Sequence, residues 1–302
     1  MKRSVITFVV ILVVLSATST SAALKIFACE PEWEALAQEI GGPDVSTFSA
    51  TTGLQDPHQV QARPSLLAKA RRADLLICTG AELEIGWLPM IQRQAANPQI
   101  QAGQPGYFQA ADYVRILEVP TALDRSAGDV HAQGNPHVQT DPRNYAPIAK
   151  ALAARLAQLD AANAARYASR YADFSTRWEQ ALARWQEQAS SLKGMAIVVH
   201  HHSWTYLENW LGLQEIASLE PKPGLPPSGV HLTEVLAQLK SQPVKFIVRT
   251  PYNDERASQW LAERAGVPAV MLADTVGGTP AAHDLFTLFD DTLQRLLKAV
   301  RP

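Results

Sequence analysis

The chain has 302 residues, a formal charge of -2 at pH 7 and two cysteines. Its 27 basic residues nearly balance 29 acidic ones, with no basic block or aromatic-basic interleaving, which argues against a nucleic-acid partner. The length suits two domains of ordinary size.

The N-terminus reads as a targeting segment. Lys2 and Arg3 precede an apolar run from Val5 to Leu15 and then a small polar tract ending Ser21-Ala22-Ala23, the layout of a secretory leader. The run is shorter than the ~20 residues a membrane span requires. The expectation is a cleaved signal peptide over residues 1–22 and an exported, periplasmic protein. Ile26-Phe27-Ala28-Cys29 has a faint likeness to a lipoprotein cleavage box, but Lys25 and the early end of the apolar run set that reading aside.

Apolar runs and helical patterns then alternate. Leu24–Cys29, Val45–Ala50, Asp74–Thr79 and Tyr113–Val119 read as strands. Helices are expected over Glu34–Ile40, from Pro64 to Arg72 and from Glu82 to Ala95. Proline opening a helix is favourable, because its fixed φ and missing N–H cost nothing there. Strand–helix alternation predicts parallel β-α units under helical cover. After a polar loop from Thr121 to Pro136 come helices at Arg143–Leu159 and Ala162–Leu192. The second, free of Gly and Pro, is long enough to connect two lobes. Strands resume at Met195–His200, Leu213–Leu219, Val244–Arg249 and Ala269–Ala273, with a last helix from Ala282 to Val300.

The fold class is therefore α/β, with two four-stranded parallel-sheet lobes joined by one long helix. The expected division is an N-terminal lobe over 23–160, the linking helix over 161–193 and a C-terminal lobe over 194–302. Cys29 and Cys78 lie near the ends of strands that are often neighbours in doubly wound sheets. A disulfide and two buried thiols both fit, and neither cysteine has a metal-type spacing.

Histidines mark three of the strand ends: His58 in Asp56-Pro57-His58, His137 in Asn135-Pro136-His137, and one within His200-His201-His202. Asp274, before Thr275-Val276-Gly277-Gly278, ends the last strand. Open α/β sheets bind ligands at that edge, so these side chains are candidates for one metal shell in the cleft between lobes. Each also has a plainer reading: loop histidines are commonly solvated, and Asp before Gly-Gly suits a turn. Glu220 and Asp254 are alternatives to Asp274. Three imidazoles and a carboxylate suit tetrahedral Zn²⁺, whereas more oxygen donors would favour Mn²⁺.

On these residues the chain resembles the metal-binding receptors of bacterial ABC importers for zinc and manganese, the cluster A-I solute-binding proteins. The likeness runs from about Leu24 to the end. It rests on Asp56–His58, Asn135–Pro142 with the helix pair that follows, His201 five residues before Tyr206, and Asp274 with its Gly-Gly. The resemblance implies two lobes clasping the metal, ligands at His58, His137, His201 and Asp274, and delivery of Zn²⁺ (or Mn²⁺) to a membrane permease by a monomeric, non-enzymatic protein. It selects His201 over His200 and His202 by the spacing to Tyr206. The loop before His137 departs from the His- and acid-rich loop of many zinc receptors, since Leu123–His131 holds a single His. Asp129 and His131 remain a candidate weak transient site. Cys29-Glu30-Pro31-Glu32-Trp33 and Gly80-Ala81-Glu82-Leu83-Glu84 have no counterpart in this reading. The rival class is an exported zinc hydrolase, against which stands the lack of a His-Glu-x-x-His spacing.

Overall fold

The structure is a computed structural model that describes residues 22–121 and 131–301. The expected leader, apart from residue 22, and Asp129 lie outside the described residues. No helix among the described residues is long and apolar enough to cross a membrane.

The first sheet contains β1 (Leu24–Ala28), β2 (Val45–Ser49), β3 (Leu75–Cys78) and β4 (Tyr107–Gln109), all parallel, in the order β2-β1-β3-β4. The second repeats that layout with β5 (Ala196–Val199), β6 (Gln214–Ser218), β7 (Phe246–Arg249) and β8 (Ala269–Met271), in the order β6-β5-β7-β8. Leu75–Cys78 is buried throughout, as are Ile197–Val199, as expected of parallel strands covered on both faces. The first sheet carries α1 (Pro31–Gly41), α2 (Pro64–Ala70) and α3 (Leu88–Ala95). The second carries α6 (Thr205–Leu211), α7 (Gly229–Leu239), α8 (Glu255–Ala265) and α9 (Leu285–Ala299).

Between the sheets run α4 (Tyr145–Leu159) and the 25-residue α5 (Ala164–Gln188). Along α5, Tyr167, Phe174, Trp178 and Trp185 recur at steps of seven, four and seven and are all fully buried, one stripe of an amphipathic helix. Trp178 meets Tyr145 of α4 at 5.1 Å and Phe286 of α9 at 4.9 Å between ring centroids. Trp185 meets Phe289 at 5.3 Å and donates its indole N–H to Asp290 at 2.6 Å. The opposite edge of α5 is fastened to the first lobe by Arg166 and Arg170 on Asp44 and by Arg177 on Glu39. One continuous apolar core therefore runs from α1 and α4 through α5 into α9.

Three elements differ from the sequence expectation. Tyr113–Val119 is not a strand; the fourth strand is the short Tyr107–Gln109, paired with Leu76–Cys78. The 114–119 stretch pairs with no strand, and its Leu117 bonds to both lobes: the N–H donates to the Tyr206 hydroxyl of the second, and the C=O accepts from Asn135 of the first. The helix expected from Glu82 begins only at Leu88, because Ala81 and Glu82 adopt positive φ and the Glu84 carboxylate turns back onto the Thr79 and Gly80 amides. Helix α1 starts earlier than expected, at Pro31.

Cys29 and Cys78 form a disulfide across neighbouring strands, with Cα atoms 4.8 Å apart. Cys29 is fully buried and its sulfur is taken up in this bond, which does not suit a lipid anchor at that residue. The bond spans 49 residues of chain, so loop-closure entropy assigns it about 4 kcal/mol. Replacing both cysteines by alanine is expected to lower unfolding stability by that order, read as a shift of the urea midpoint. An unchanged midpoint would contradict it.

Candidate metal centre

His58 follows β2, in the loop before α2. Asp56 accepts both its backbone N–H (2.9 Å) and its Nδ1–H (2.8 Å). A carboxylate only accepts, so this pair fixes the tautomer and leaves the lone pair on Nε2, which is buried without a protein partner. His201, after β5, is arranged the same way, with Nδ1 2.7 Å from Glu220 Oε2. The Asp-Pro-His triplet is thus a local orienting device, and Glu220 supports His201 rather than replacing Asp274.

His137 is 1% exposed, and neither ring nitrogen has a hydrogen-bond partner in the protein. Burial, with His58 and His201 close by, holds its pKa well below the usual imidazole value, so it stays neutral. Asn135 positions it: Oδ1 accepts the His137 amide at 3.0 Å, while Nδ2 donates to His202 C=O in the second lobe at 2.9 Å. Tyr206 completes the link by donating to Asn135 C=O at 2.8 Å, which gives the His201-to-Tyr206 spacing a physical role.

These three imidazoles come together. Ring centroids are 5.2 Å apart for His58–His137, 5.5 Å for His58–His201 and 5.6 Å for His137–His201. One nitrogen from each lies within 4.8 Å of the other two. Buried polar atoms are normally satisfied, so the partnerless ring nitrogens of His58 and His137, with His201 facing them from the second lobe, fit a cation that takes imidazole ligands.

Asp274 lies outside that 4.8 Å group. It follows β8 and is 3% exposed; Oδ2 accepts from the Tyr252 hydroxyl at 3.0 Å, and Oδ1 is buried without a partner. Burial pushes its pKa up to about 6. Asp254, the other alternative, is the exposed N-cap of α8, tied to Arg256. His200 is buried with its carbonyl bonded to Ser218, and His202 pairs with Glu215; neither joins the three-imidazole group. His131 stacks on His58 at 5.5 Å and, with His137, His201 and His202, lines a cavity of about 250 Å³ leading to the site.

The two motifs left unexplained by the sequence meet beside this centre. Glu30, Glu32 and Glu84 are all buried. Trp33 donates to the Thr79 hydroxyl at 2.8 Å, and that hydroxyl donates to Glu30 at 3.1 Å. Glu84 accepts the Thr79 amide at 2.7 Å. Burial raises Glu30 well above the carboxylate range, Glu32 to about 8 and Glu84 to about 7. No sequence period signals this cluster, because it joins residues about fifty positions apart.

Residues 26–299 match the family described as zinc-uptake complex component A, periplasmic. Among curated relatives, the iron ABC transporter substrate-binding lipoprotein MtsA of Streptococcus pyogenes is 26% identical over 172 residues, 50% of this chain and 55% of that protein. The high-affinity zinc uptake system protein ZnuA of Yersinia pestis is 24% identical over 195 residues, 61% of each. The chain thus spans little more than half the length of the curated relatives it matches. A crystal structure of ZnuA superposes with a TM-score of 0.77 at 21% identity, covering 92% of this chain and 100% of that one. A manganese-bound periplasmic metal-binding protein from Candidatus Liberibacter asiaticus gives 0.73 at 17% identity, covering 91% and 99%. At these identities the structural likeness establishes the fold.

The raised carboxyls carry a stability consequence. A carboxyl whose folded pKa exceeds its unfolded value contributes fully below the latter, and that contribution is lost as pH rises through the folded value. The depressed His137 acts oppositely, but only below the imidazole range. The metal-free protein is therefore expected to melt lower at about pH 8.5 than at about pH 6.5, as Glu84 and then Glu32 ionise. Glu84→Gln should flatten that fall. A melting temperature that is level or rises over this window would contradict the assignment.

Proposed function

Because the chain belongs to the zinc-uptake complex component A family, we propose that it is an exported substrate-binding protein that captures a transition-metal ion, Zn²⁺, and delivers it to the permease of an ABC-type importer. The observation that carries this reading is the meeting of His58, His137 and His201 from two lobes within 4.8 Å. His58 and His137 come from the first lobe and His201 from the second, so one bound ion bonds to both.

Asp274 is the proposed fourth ligand. Its unpartnered Oδ1 and the bond it accepts from Tyr252 support a carboxylate held ready to complete the shell. Three nitrogens and one oxygen favour Zn²⁺ over harder cations. A manganese or iron receptor is the second reading, favoured by the iron-transport name of the Streptococcus pyogenes relative. The hydrolase reading is dropped, since the matched family and relatives are metal-uptake components.

Asp56 and Glu220 orient the ring nitrogens before metal arrives, which strengthens imidazole ligands and reduces reorganisation on binding. The neutral state of His137 removes a proton that metal would otherwise displace. The expected site is periplasmic, consistent with the described family and with the leader pattern of residues 1–22.

A competition titration of the metal-free mature protein against a chelator of known affinity tests this. One tight Zn²⁺ per chain, with Mn²⁺ much weaker, is expected; tight Mn²⁺ would favour the second reading, and no tight metal would overturn both. Removing His58, His137 or His201 singly should weaken Zn²⁺ binding by about 100-fold or more, while His200→Ala stays within about threefold. Because imidazoles must be neutral to bind metal, affinity should fall at least about tenfold from pH 7.5 to 5.5; a flat profile would argue against histidine ligation.

A further inference from the structure

We propose that Glu32 is a positioning residue for the metal centre: through Thr275 it fixes the loop bearing Asp274 against the first lobe, so that the carboxylate is set before the shell forms. This rests on the metal-receptor reading and adds a residue to it. Glu32 stands in the first turn of α1, in the Cys29–Trp33 motif, and is 0% exposed. The first amides of a helix have no partner within it. Here the Glu32 amide donates to Thr275 Oγ1 at 3.2 Å, and that hydroxyl in turn donates to Glu32 Oε2. One threonine hydroxyl is thus used twice by one residue, 243 positions away in sequence.

Thr275 immediately follows Asp274, so this clasp acts one peptide from the proposed ligand. The same loop is held at three further points. Tyr252 binds Asp274 Oδ2 at 3.0 Å. Thr279 donates to Asp291 of α9 at 2.6 Å. Gly53, five residues before His58, lies so close to the loop that a Cβ there would stand 2.2 Å from the Gly278 amide nitrogen. The Asp274 loop is therefore wedged between the His58 loop, α1 and α9, and Glu32 bonds it to the first lobe through Thr275.

An isolated structural role for the clasp would stabilise the fold and leave metal affinity alone. A positioning role makes the effect of Thr275 depend on Asp274. Thr275→Val removes the hydroxyl at nearly constant shape, Thr275→Ser keeps it, and Glu32→Gln keeps an acceptor oxygen. Zn²⁺ dissociation constants are measured by chelator competition for each, in the native and Asp274→Ala backgrounds, with metal-free melting temperatures alongside.

The expected result is about tenfold or greater weakening in Thr275→Val, near-native affinity (within about threefold) in Thr275→Ser and Glu32→Gln, and no further loss when Thr275→Val is added to Asp274→Ala. Native affinity in Thr275→Val would overturn the inference and leave the receptor reading standing. Equal losses in both backgrounds would also overturn it, since the clasp would then act on the whole fold. Absence of tight Zn²⁺ binding in the unmodified protein would overturn the receptor reading and this inference with it.

Discussion

Everything at the metal centre depends on the aromatic seam that α5 drives between the two sheets. Trp178 packs against Tyr145, Phe174, Phe286 and Phe289 at once, so α4, α5 and α9 share one buried cluster. Close-packed interiors transmit displacement rather than absorbing it. The seam therefore sets the distance between strand ends in different lobes, and with it the 5.2–5.6 Å spacing of three imidazoles. Asn135 and Tyr206 repeat the weld nearer the site: Asn135 of the His137 loop donates to His202 C=O of the second lobe, and Tyr206 of the second lobe donates back to Asn135 C=O. The loops bearing His58 and Asp274 are held in this frame by side-chain bonds rather than by sheet pairing.

The electrostatics complement that frame. His137 is held neutral by burial, and Asp56 and Glu220 bond the outer nitrogens of the other two rings. Behind the Asp274 loop sits a buried acidic cluster of Glu30, Glu32 and Glu84, joined to that loop through Thr275. Unpaired buried charge is costly, and the groups respond by keeping protons. Near neutral pH an arriving divalent cation would meet the neutral His137 imidazole and, behind the Asp274 loop, carboxyls with raised affinity for protons. The disulfide pins the C-terminal ends of the central strands β1 and β3, from which Glu30 and Thr79 extend, so the cluster is built on cross-linked backbone.

Much of this was legible in the sequence, and for identifiable reasons. Asp56-Pro57-His58 and Asn135-Pro136-His137 are local devices: the residue two places before each histidine bonds that histidine's own amide, so the triplets carry their geometry with them. The β-α alternation was readable because parallel strands buried on both faces, such as Leu75–Cys78, form unbroken apolar runs. The choice among His200, His201 and His202 was not local, since strand alternation does not continue into the loop; it rested on the family's spacing to Tyr206, and that tyrosine bonds the His137 loop. Tyr113–Val119 misled because β-branched residues suit extended segments in general, and this one bonds to the Asn135 and Tyr206 loops rather than to a neighbouring strand. The true β4 has three residues, too few to show a period. Glu32 and Thr275 were invisible as a pair, being joined only by the fold.

The most direct test is the crystal structure of the protein grown with Zn²⁺, with anomalous data collected at the zinc edge. A single anomalous peak is expected in the cleft, bonded to one nitrogen each of His58, His137 and His201 at about 2.0–2.1 Å and to an oxygen of Asp274 at a similar distance. A peak held by other side chains, or by imidazoles of one lobe alone, would contradict the claim that two lobes build one metal shell.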